Sequence, residues 1–348
     1  MDTKNKILGL IKKRNALSGT QLAEILGISR QAVNKHLKNL VLDGGVVKDG
    51  VTRGAKYRVA TPDGDRPVLL TYKKKFLSCD LEEDAVFRDI ALHLKLTQAA
   101  SPAAASIAQY AFTEMLNNAI DHSGSEKCLV EAMLDEFTFQ FRVRDYGIGI
   151  FYSVYDKFGL ADEYAAVGEI LKGKTTTMKE RHSGEGIFFT SKSADEMYFW
   201  SHKTKLIFDN MKQDVFIESK KNIRGTEVFF RINRRSRKKL ENIFATYAPE
   251  EFDFRFEKTR ANVKLYQQDL VSRSEARRLL HGLDKFKKII LDFKGVKTIG
   301  QGFADEIFRV FIMNNPHISF EIVNLLPSLR PIVDHVVDNK IKERLTIC

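Results

Sequence analysis

The sequence has 348 residues, of which 43% are hydrophobic and 29% are charged, and its formal net charge at pH 7 is +11. A chain of this length and composition is expected to form two or three domains with sizeable cores, and it lacks the run of about 18 apolar residues that a membrane helix requires. The polar N-terminus and three cysteines without a CxxC pair argue against a secretory signal, a disulfide framework and a zinc site, so we expect a cytoplasmic protein without a membrane partner.

The first sixty residues predict three short helices followed by two β-strands. Apolar residues recur at helical spacing in three stretches, and glycines at 27 and 44–45 end the second and third of them. The segment VVKDGVTRGAKYRVA then indicates two short strands around a glycine-bearing turn. These sixty residues hold twelve Lys and Arg against four Asp and Glu, so most of the net positive charge lies here.

The stretch LSGTQLAEILGISRQAVNKHLKNLVLDGG resembles the winged helix-turn-helix of bacterial transcription regulators, and we assign residues 1–62 to such a domain. The resemblance implies that the third helix enters the major groove of double-stranded DNA while the wing touches the backbone. Base edges would then be read by Arg30, Gln31 and Asn34. Phosphates would be neutralised by Lys35, Lys38, Arg53 and Lys56. The alternative is a winged helix that contacts only protein.

Four short motifs follow in order between residues 68 and 232. The helical stretch SPAAASIAQYAFTEMLNNAIDHS places Glu114 and Asn118 one turn apart on a single face. A carboxylate and a carboxamide at this spacing can serve a water molecule and a Mg²⁺ ion held by phosphate oxygens.

The other three motifs add a carboxylate and several glycines at the ends of strands and helices. The strand FTFQFRVRD runs into DYGIGI, where Asp145 can accept a hydrogen bond from an amino group and Gly147 and Gly149 allow a flat ring to approach the backbone. The motif HSGEGIFFTSK places Gly184 and Gly186 at a helix start, where free N–H groups favour phosphate. A last strand, RGTEVFFRI, contributes Thr226.

In this order, EMLNNAIDH, DYGIG, SGEGIF and RGTEVF resemble the N box, the two glycine boxes and the closing Gly-Thr of the GHKL ATPases, and the N box is most similar to that of anti-sigma-factor serine kinases. The resemblance implies the two-layer α/β sandwich of the Bergerat ATPase fold, with ATP and Mg²⁺ as cofactors. It makes Glu114 the general base or water-orienting residue and Asn118 the Mg²⁺ ligand. The ATP-binding residues would be Asn118, Asp145, Gly147, Gly149, Gly184, Gly186 and Thr226.

Two features depart from a simple nucleotide site. The second glycine box is short and carries Glu185 between its glycines, where a carboxylate would repel triphosphate unless it turned away or shared Mg²⁺. Residues 168–175, GEILKGKT, match the P-loop pattern, but the preceding LADEYAAV is helical rather than a buried strand. We therefore predict a mobile lid over the nucleotide there, with Lys172, Lys174 or Arg181 able to meet phosphate.

The last third begins with a basic linker, predicted for residues 233–258, and continues as an α/β domain over 259–348. The segments FDFRFE and ANVKLY resemble strands, and KKIILDFKGV, FADEIFRVFIMNN and SFEIVNL form a β-α-β pattern. The domain resembles STAS-like domains, the fold of anti-sigma-factor antagonists. Where antagonists carry a phosphorylatable serine this chain has Gly300, Gln301 and Gly302, which argues against a phosphorylated switch in cis. A packing or dimerisation domain is the alternative.

The sequence thus predicts a multidomain α/β protein with a winged helix-turn-helix, a Bergerat-type sandwich and a STAS-like domain. The function we favour is an ATP-dependent DNA-binding transcription regulator, in which Mg·ATP alters contacts with DNA or with a partner. One alternative is a protein serine/threonine kinase of the anti-sigma type, with a sigma, anti-sigma or STAS protein as partner. The other is a DNA-acting ATPase. The motifs leave open a homodimer, and also whether ATP is hydrolysed or transferred.

Overall fold

The computed structural model describes residues 3–14, 16–43, 45–50, 55–60, 70–79, 81–173, 185–253, 255–265, 270–337 and 339–348. These residues fold around three hydrophobic cores, one in each third of the chain. None of the helices in these ranges is long and apolar enough to cross a membrane.

The N-terminal module is a three-helix unit closed by a small antiparallel sheet of order β1-β3-β2. Local signals fix its helices: Ser18 and Gln21 form a reciprocal capping box, Gly27 ends the second helix with φ +64°, and Ser29 caps the third. Its elements are α1 (Thr3–Arg14), β1 (Leu17–Ser18), α2 (Gly19–Leu26), α3 (Arg30–Leu42), β2 (Val46–Asp49) and β3 (Lys56–Val59).

The middle module is an antiparallel five-stranded sheet of order β4-β5-β6-β8-β7 with helices against one face. Alternating apolar residues of the strands face α4 and α6 and form the largest core. Its strands are β4 (Leu70–Leu77), β5 (Lys127–Leu134), β6 (Thr138–Asp145), β7 (Glu196–Asp209) and β8 (Asp214–Asn233). Its helices are α4 (Glu83–His93), α5 (Leu96–Ala99), α6 (Pro102–Asp121), α7 (Ile150–Phe158), α8 (Glu163–Lys172) and α9 (Gly186–Ser193).

The other face of this sheet, called here the open face, is charged. Glu131 forms ion pairs with Lys73 at 2.6 Å and with Arg142 at 3.0 Å. Glu227 lies 3.3 Å from Arg142 and 3.6 Å from Arg144. The alternation of the strands places these side chains opposite the core, so this face is built for polar surroundings.

The C-terminal module is a four-stranded parallel sheet of order β12-β11-β10-β9 with helical connections. The expected β-α-β unit is present as β10, a long helix and β11. The segment before the sheet contains α10 (Leu240–Tyr247) and a 3₁₀ turn (Glu250–Phe252). The sheet and its helices are β9 (Lys258–Asn262), α11 (Arg273–Leu280), β10 (Lys288–Asp292), α12 (Gln301–Asp305) continuing through a π-helical stretch (Glu306–Phe311) into α13 (Ile312–Asn314), β11 (Ser319–Val323), α14 (Arg330–Val336), α15 (Asn339–Lys342) and β12 (Leu345–Ile347).

Three expectations from the sequence are corrected by the fold. The described residues of FDFRFE do not form a strand, because Asp253 adopts φ +53° and closes the 3₁₀ turn, and of the described residues of ANVKLY only the first two lie in β9. Gly168 to Lys172 are not a lid but the end of α8, and Lys172 is 1% exposed. The rest of that predicted lid, with Lys174 and Arg181, lies outside the described residues.

Candidate functional site

Helix α6 carries two half-buried polar residues of the candidate site in an otherwise apolar helix. The helix begins where the side chain of Ser101 accepts a hydrogen bond from the Ala104 amide at 3.1 Å, with Pro102 in its first turn. Glu114 and Asn118 are partly exposed and lie one turn apart on a face that the core leaves open. The predicted alignment of these two side chains therefore follows from the observed helix.

Asp145 ends strand β6 and is 4% exposed. Its Oδ1 accepts hydrogen bonds from the backbone amides of Gly147 at 2.9 Å and Thr226 at 3.1 Å. Burial raises the pKa of the Asp145 carboxyl, and the amide hydrogen bonds oppose that rise. The Thr226 hydroxyl in turn accepts from the Ile150 amide at 2.9 Å. The ends of β6 and β8 and the start of α7 are thus joined around one buried carboxylate.

Two glycines beside Asp145 have no room for a side chain. A Cβ at Gly147 would stand 1.8 Å from the carbonyl oxygen of Ser123, and one at Gly225, where φ is +76°, would stand 2.6 Å from Asp145 Oδ1. The glycine of the first motif is therefore required by close backbone packing against the end of α6. The sequence pattern identified Gly147 but gave no signal for Ser123, because its role depends on a contact between distant segments.

Gly149 brings two further residues to the site that the sequence analysis missed. Its φ is +87°, and a Cβ there would lie 2.5 Å from Ser201 Oγ and 3.0 Å from His202 Nε2. His202 itself adopts φ +49°, at an irregularity in the β7–β8 pairing, and its Nδ1 is 2.9 Å from Glu163 Oε1. An irregular strand pairing has no simple sequence signature, so this histidine could not be found from periodicity.

The second glycine motif places Gly186 at the first residue of α9, directly against Glu114. A Cβ at residue 186 would stand 1.7 Å from Glu114 Oε2. Burial, together with the carboxylates of Glu114 and Glu185, raises the pKa of the Tyr110 hydroxyl. The three side chains therefore share one small region between α6 and the start of α9. Gly184 lies outside the described residues.

Helix α9 also enters the core of the C-terminal module. Phe188 packs on Phe256 with ring centroids 4.5 Å apart, and Phe189 packs on Phe244 at 4.2 Å. Both phenylalanines are at most 2% exposed and belong to the C-terminal core rather than to the core of the sheet that precedes them. A single two-turn helix thus touches Glu114 at its first residue and the C-terminal module at its third and fourth.

The residues predicted to contact DNA fall into two groups. Arg30, Gln31, Asn34 and Lys35 are exposed on α3, and Lys56 is exposed on β3. Lys38 is half-buried instead, and burial together with the nearby Arg231 lowers its pKa. Arg53 lies outside the described residues. The N-terminal half of α3 therefore presents an open cationic face, while its C-terminal half faces the middle module.

The turn between β5 and β6 anchors the N-terminal module. Phe137 packs against the N-terminal core, and Lys48 of β2 lies 3.4 Å from Glu136 and 5.4 Å from the Phe137 ring centroid. The backbone amide of Arg234 donates to the Phe137 carbonyl at 2.9 Å. The predicted basic linker is therefore packed, and Lys238 binds the carbonyl of Ala194 at 2.8 Å at the end of α9.

Family comparisons identify the two ends of the chain. Residues 2–46 match the family model of a winged helix-turn-helix DNA-binding domain, and residues 275–329 match that of a STAS-like domain of unknown function. No curated protein matches the sequence. Neither family match reaches the middle module, and together with the exposed face of α3 they indicate a DNA-binding regulator with a STAS-like C-terminal domain.

Proposed function

We propose that this chain is a DNA-binding transcription regulator whose DNA or partner contacts depend on Mg·ATP bound in the middle module. The observation that carries the proposal is the arrangement around Asp145. A buried carboxylate held by the amides of Gly147 and Thr226 lies at the strand ends, while Glu114 and Asn118 face the start of α9 from α6. This arrangement supports the nucleotide site that the resemblance to GHKL ATPases implies.

The donor set fits adenine at one end and phosphate with Mg²⁺ at the other. Asp145 supplies a carboxylate acceptor for an exocyclic amino group, beside a turn in which glycines bring the backbone close. Among the described residues no group of three or more His, Cys, Asp or Glu is placed to hold a metal ion. Mg²⁺ bound mainly by phosphate oxygens and water needs only one or two protein oxygens, which Asn118 and the carboxylate of Glu114 or Glu185 would provide. Mg²⁺ there would neutralise the charge of the phosphates.

Helix α9 supplies the route by which nucleotide occupancy reaches the rest of the chain. Its first residue lies against Glu114, Phe188 and Phe189 are fixed in the C-terminal core, and Lys238 binds the carbonyl that follows its last turn. A ligand shifts a population only if it binds the two arrangements with different affinities. Phosphate at the start of α9 would favour one position of this helix, and the packed phenylalanines would transmit that position to the C-terminal module.

The kinase alternative requires a protein substrate other than the C-terminal module. A Cβ at Gly300, before α12, would stand 2.5 Å from the Val271 carbonyl oxygen, so a serine cannot be accommodated there without a shift of the backbone. A phosphorylated serine at this position is therefore disfavoured, and the kinase alternative would act on a partner. This geometry favours the regulator over a cis phosphorylation switch.

The fate of γ-labelled phosphate distinguishes these functions. The protein is incubated with Mg·ATP beside Glu114→Gln and beside Gly186→Ala, which keeps the Glu114 carboxylate but forces it to move. A regulator that senses ATP retains intact, filter-bound nucleotide in the wild type, and Gly186→Ala, which displaces the start of α9 from Glu114, retains less. Label transferred to protein, and abolished in Glu114→Gln, supports the kinase instead. Absence of retained nucleotide at any ATP concentration contradicts the proposal.

A further inference from the structure

A second cationic site lies on the open face, at the strand ends next to Asp145. A cavity of about 360 Å³ there is lined by Lys75, Lys127, Cys128, Tyr146 and Arg224. None of its lining residues is acidic, and the three cations form no salt bridge with any described residue. Three positive charges without a carboxylate partner among the described residues converge on one cavity and create a positive potential that an anion would relieve.

Tyr146 gives this cavity an aromatic wall between cations. The Lys127 Nζ atom lies 5.9 Å, and the Arg144 guanidinium carbon 5.4 Å, from the centroid of the Tyr146 ring. Lysine, arginine and tyrosine side chains are among the groups that contact the phosphates and sugars of DNA. The composition of the cavity therefore fits a sugar-phosphate backbone better than an isolated carboxylate.

The cavity shares the open face with the N-terminal module. Lys38 of α3 lies near Arg231 and Glu196, and the pairing of Gln140 with Arg231 places that arginine on the same face as Arg142 and Arg144. Tyr146 is six residues beyond Gln140 along β6, which is about 20 Å at about 3.3 Å per residue. The cavity therefore lies about 20 Å along the open face from the position where Lys38 reaches Arg231.

We propose that the Lys75–Lys127–Tyr146–Arg224 cavity is a second contact for duplex DNA, which binds backbone phosphates of the duplex that α3 holds. The inference rests on the DNA-binding role of α3 and extends it to the middle module. DNA held by α3 and directed along the open face would place phosphate oxygens among three cations that form no salt bridge with any residue that the structure describes. The same strand ends carry Asp145 and Thr226, so this contact would lie directly beside the proposed nucleotide site.

The test is the salt dependence of binding to a duplex of mixed sequence about 36 base pairs long, measured by fluorescence anisotropy from about 50 to 300 mM KCl. The variant is Lys127→Gln/Arg224→Gln. Its matched control, Lys74→Gln/Lys212→Gln, also removes two cations, but Lys74 faces Asp89 and Lys212 pairs with Asp209. Each lost phosphate contact lowers the slope of log K against log salt by about 0.9. We expect the slope to fall by about 1.8 in the variant and to stay at the wild-type value in the control.

A further variant separates the second contact from the DNA-binding role of α3. Arg30→Gln/Lys35→Gln should also lower the slope, and if it binds as tightly as wild type, the proposed role of α3 is wrong. If that variant is weakened but Lys127→Gln/Arg224→Gln matches its control, the second contact is overturned. If Lys127→Gln/Arg224→Gln matches its control in DNA binding but binds dAMP or pyrophosphate more weakly by calorimetry, the cavity is a site for a free anion and the second DNA contact is overturned. Circular dichroism confirms that each variant is folded.

Discussion

A methyl group at residue 147 tests whether the turn after β6 is built as described. The Cβ of Gly147→Ala would stand 1.8 Å from the Ser123 carbonyl oxygen, which also accepts a hydrogen bond from the Ile148 amide at 2.9 Å. Because Cβ atoms do not approach other heavy atoms within 3.0 Å, the turn must move by about 1.2 Å. Overpacking costs about 1–3 kcal/mol and the lost hydrogen bond about 1 kcal/mol. We expect a loss of about 2–4 kcal/mol in the free energy of unfolding.

The measurement uses the only tryptophan, Trp200 in β7, as a reporter of the middle module in urea unfolding. Gly124→Ala, in the loop that contains Ser123, is the matched control: its φ is +65° and a Cβ there has no neighbour within 4 Å, so it bears only a backbone cost of about 1 kcal/mol. A fluorescent ATP analogue should bind the control and fail to bind Gly147→Ala. If both variants unfold at the same urea concentration and bind the analogue equally, the described packing is wrong.

Three further substitutions probe charge in the middle of the chain. Burial raises the pKa of Asp145, so the folded state binds the proton more tightly and stability falls as pH rises above the ordinary value of 3.8. Asp145→Asn keeps an acceptor for both amides and should unfold at neutral pH at no lower urea concentration than wild type. Its affinity for the ATP analogue should fall at least about tenfold. Lys172→Met leaves the buried Glu169, 2.8 Å from the lysine, without its cation and should lower the free energy of unfolding by about 3–5 kcal/mol. The affinity for ATP should not change. A loss of affinity at unchanged stability would show instead that Lys172 contacts phosphate. Burial, with Arg260, lowers the pKa of Lys192 to about 8. The folded state therefore holds fewer protons than the unfolded state between that pH and 10.5, and stability rises with pH across this window. The urea midpoint of wild type should rise there relative to that of Lys192→Met, and parallel pH profiles of the two proteins would contradict the lowered pKa of Lys192.

Local signals account for what the sequence predicted well. Capping by Ser18, Ser29 and Ser101 fixes the starts of three helices, because each satisfies backbone amides within three residues. The spacing of Glu114 and Asn118 follows from the helix that carries them. The winged helix-turn-helix and the STAS-like unit were therefore predictable as elements and are matched by the family models.

Long-range contacts account for what the sequence did not predict. Lys172 lies within the stretch that matches the P-loop pattern, but its ammonium donates to the His281 carbonyl, 109 residues away, and the side chain is buried. Phe188 and Phe189 follow a glycine motif of the middle module yet pack in the C-terminal core. The spacing of apolar residues along a helix does not specify which module its apolar face will contact. The junction through α9 was therefore visible only in the structure.

The central claim is that nucleotide in the middle module changes DNA binding, and the most direct measurement is the DNA affinity of the full chain at one fixed salt concentration with and without saturating Mg·ATP. A coupling of about 1–3 kcal/mol corresponds to a change of about 5- to 150-fold. At a Mg·ATP concentration that just saturates the wild type, we predict a change of at least about fivefold in the wild type and a smaller change in Asp145→Asn. Equal affinities of the wild-type protein in the two conditions would contradict it.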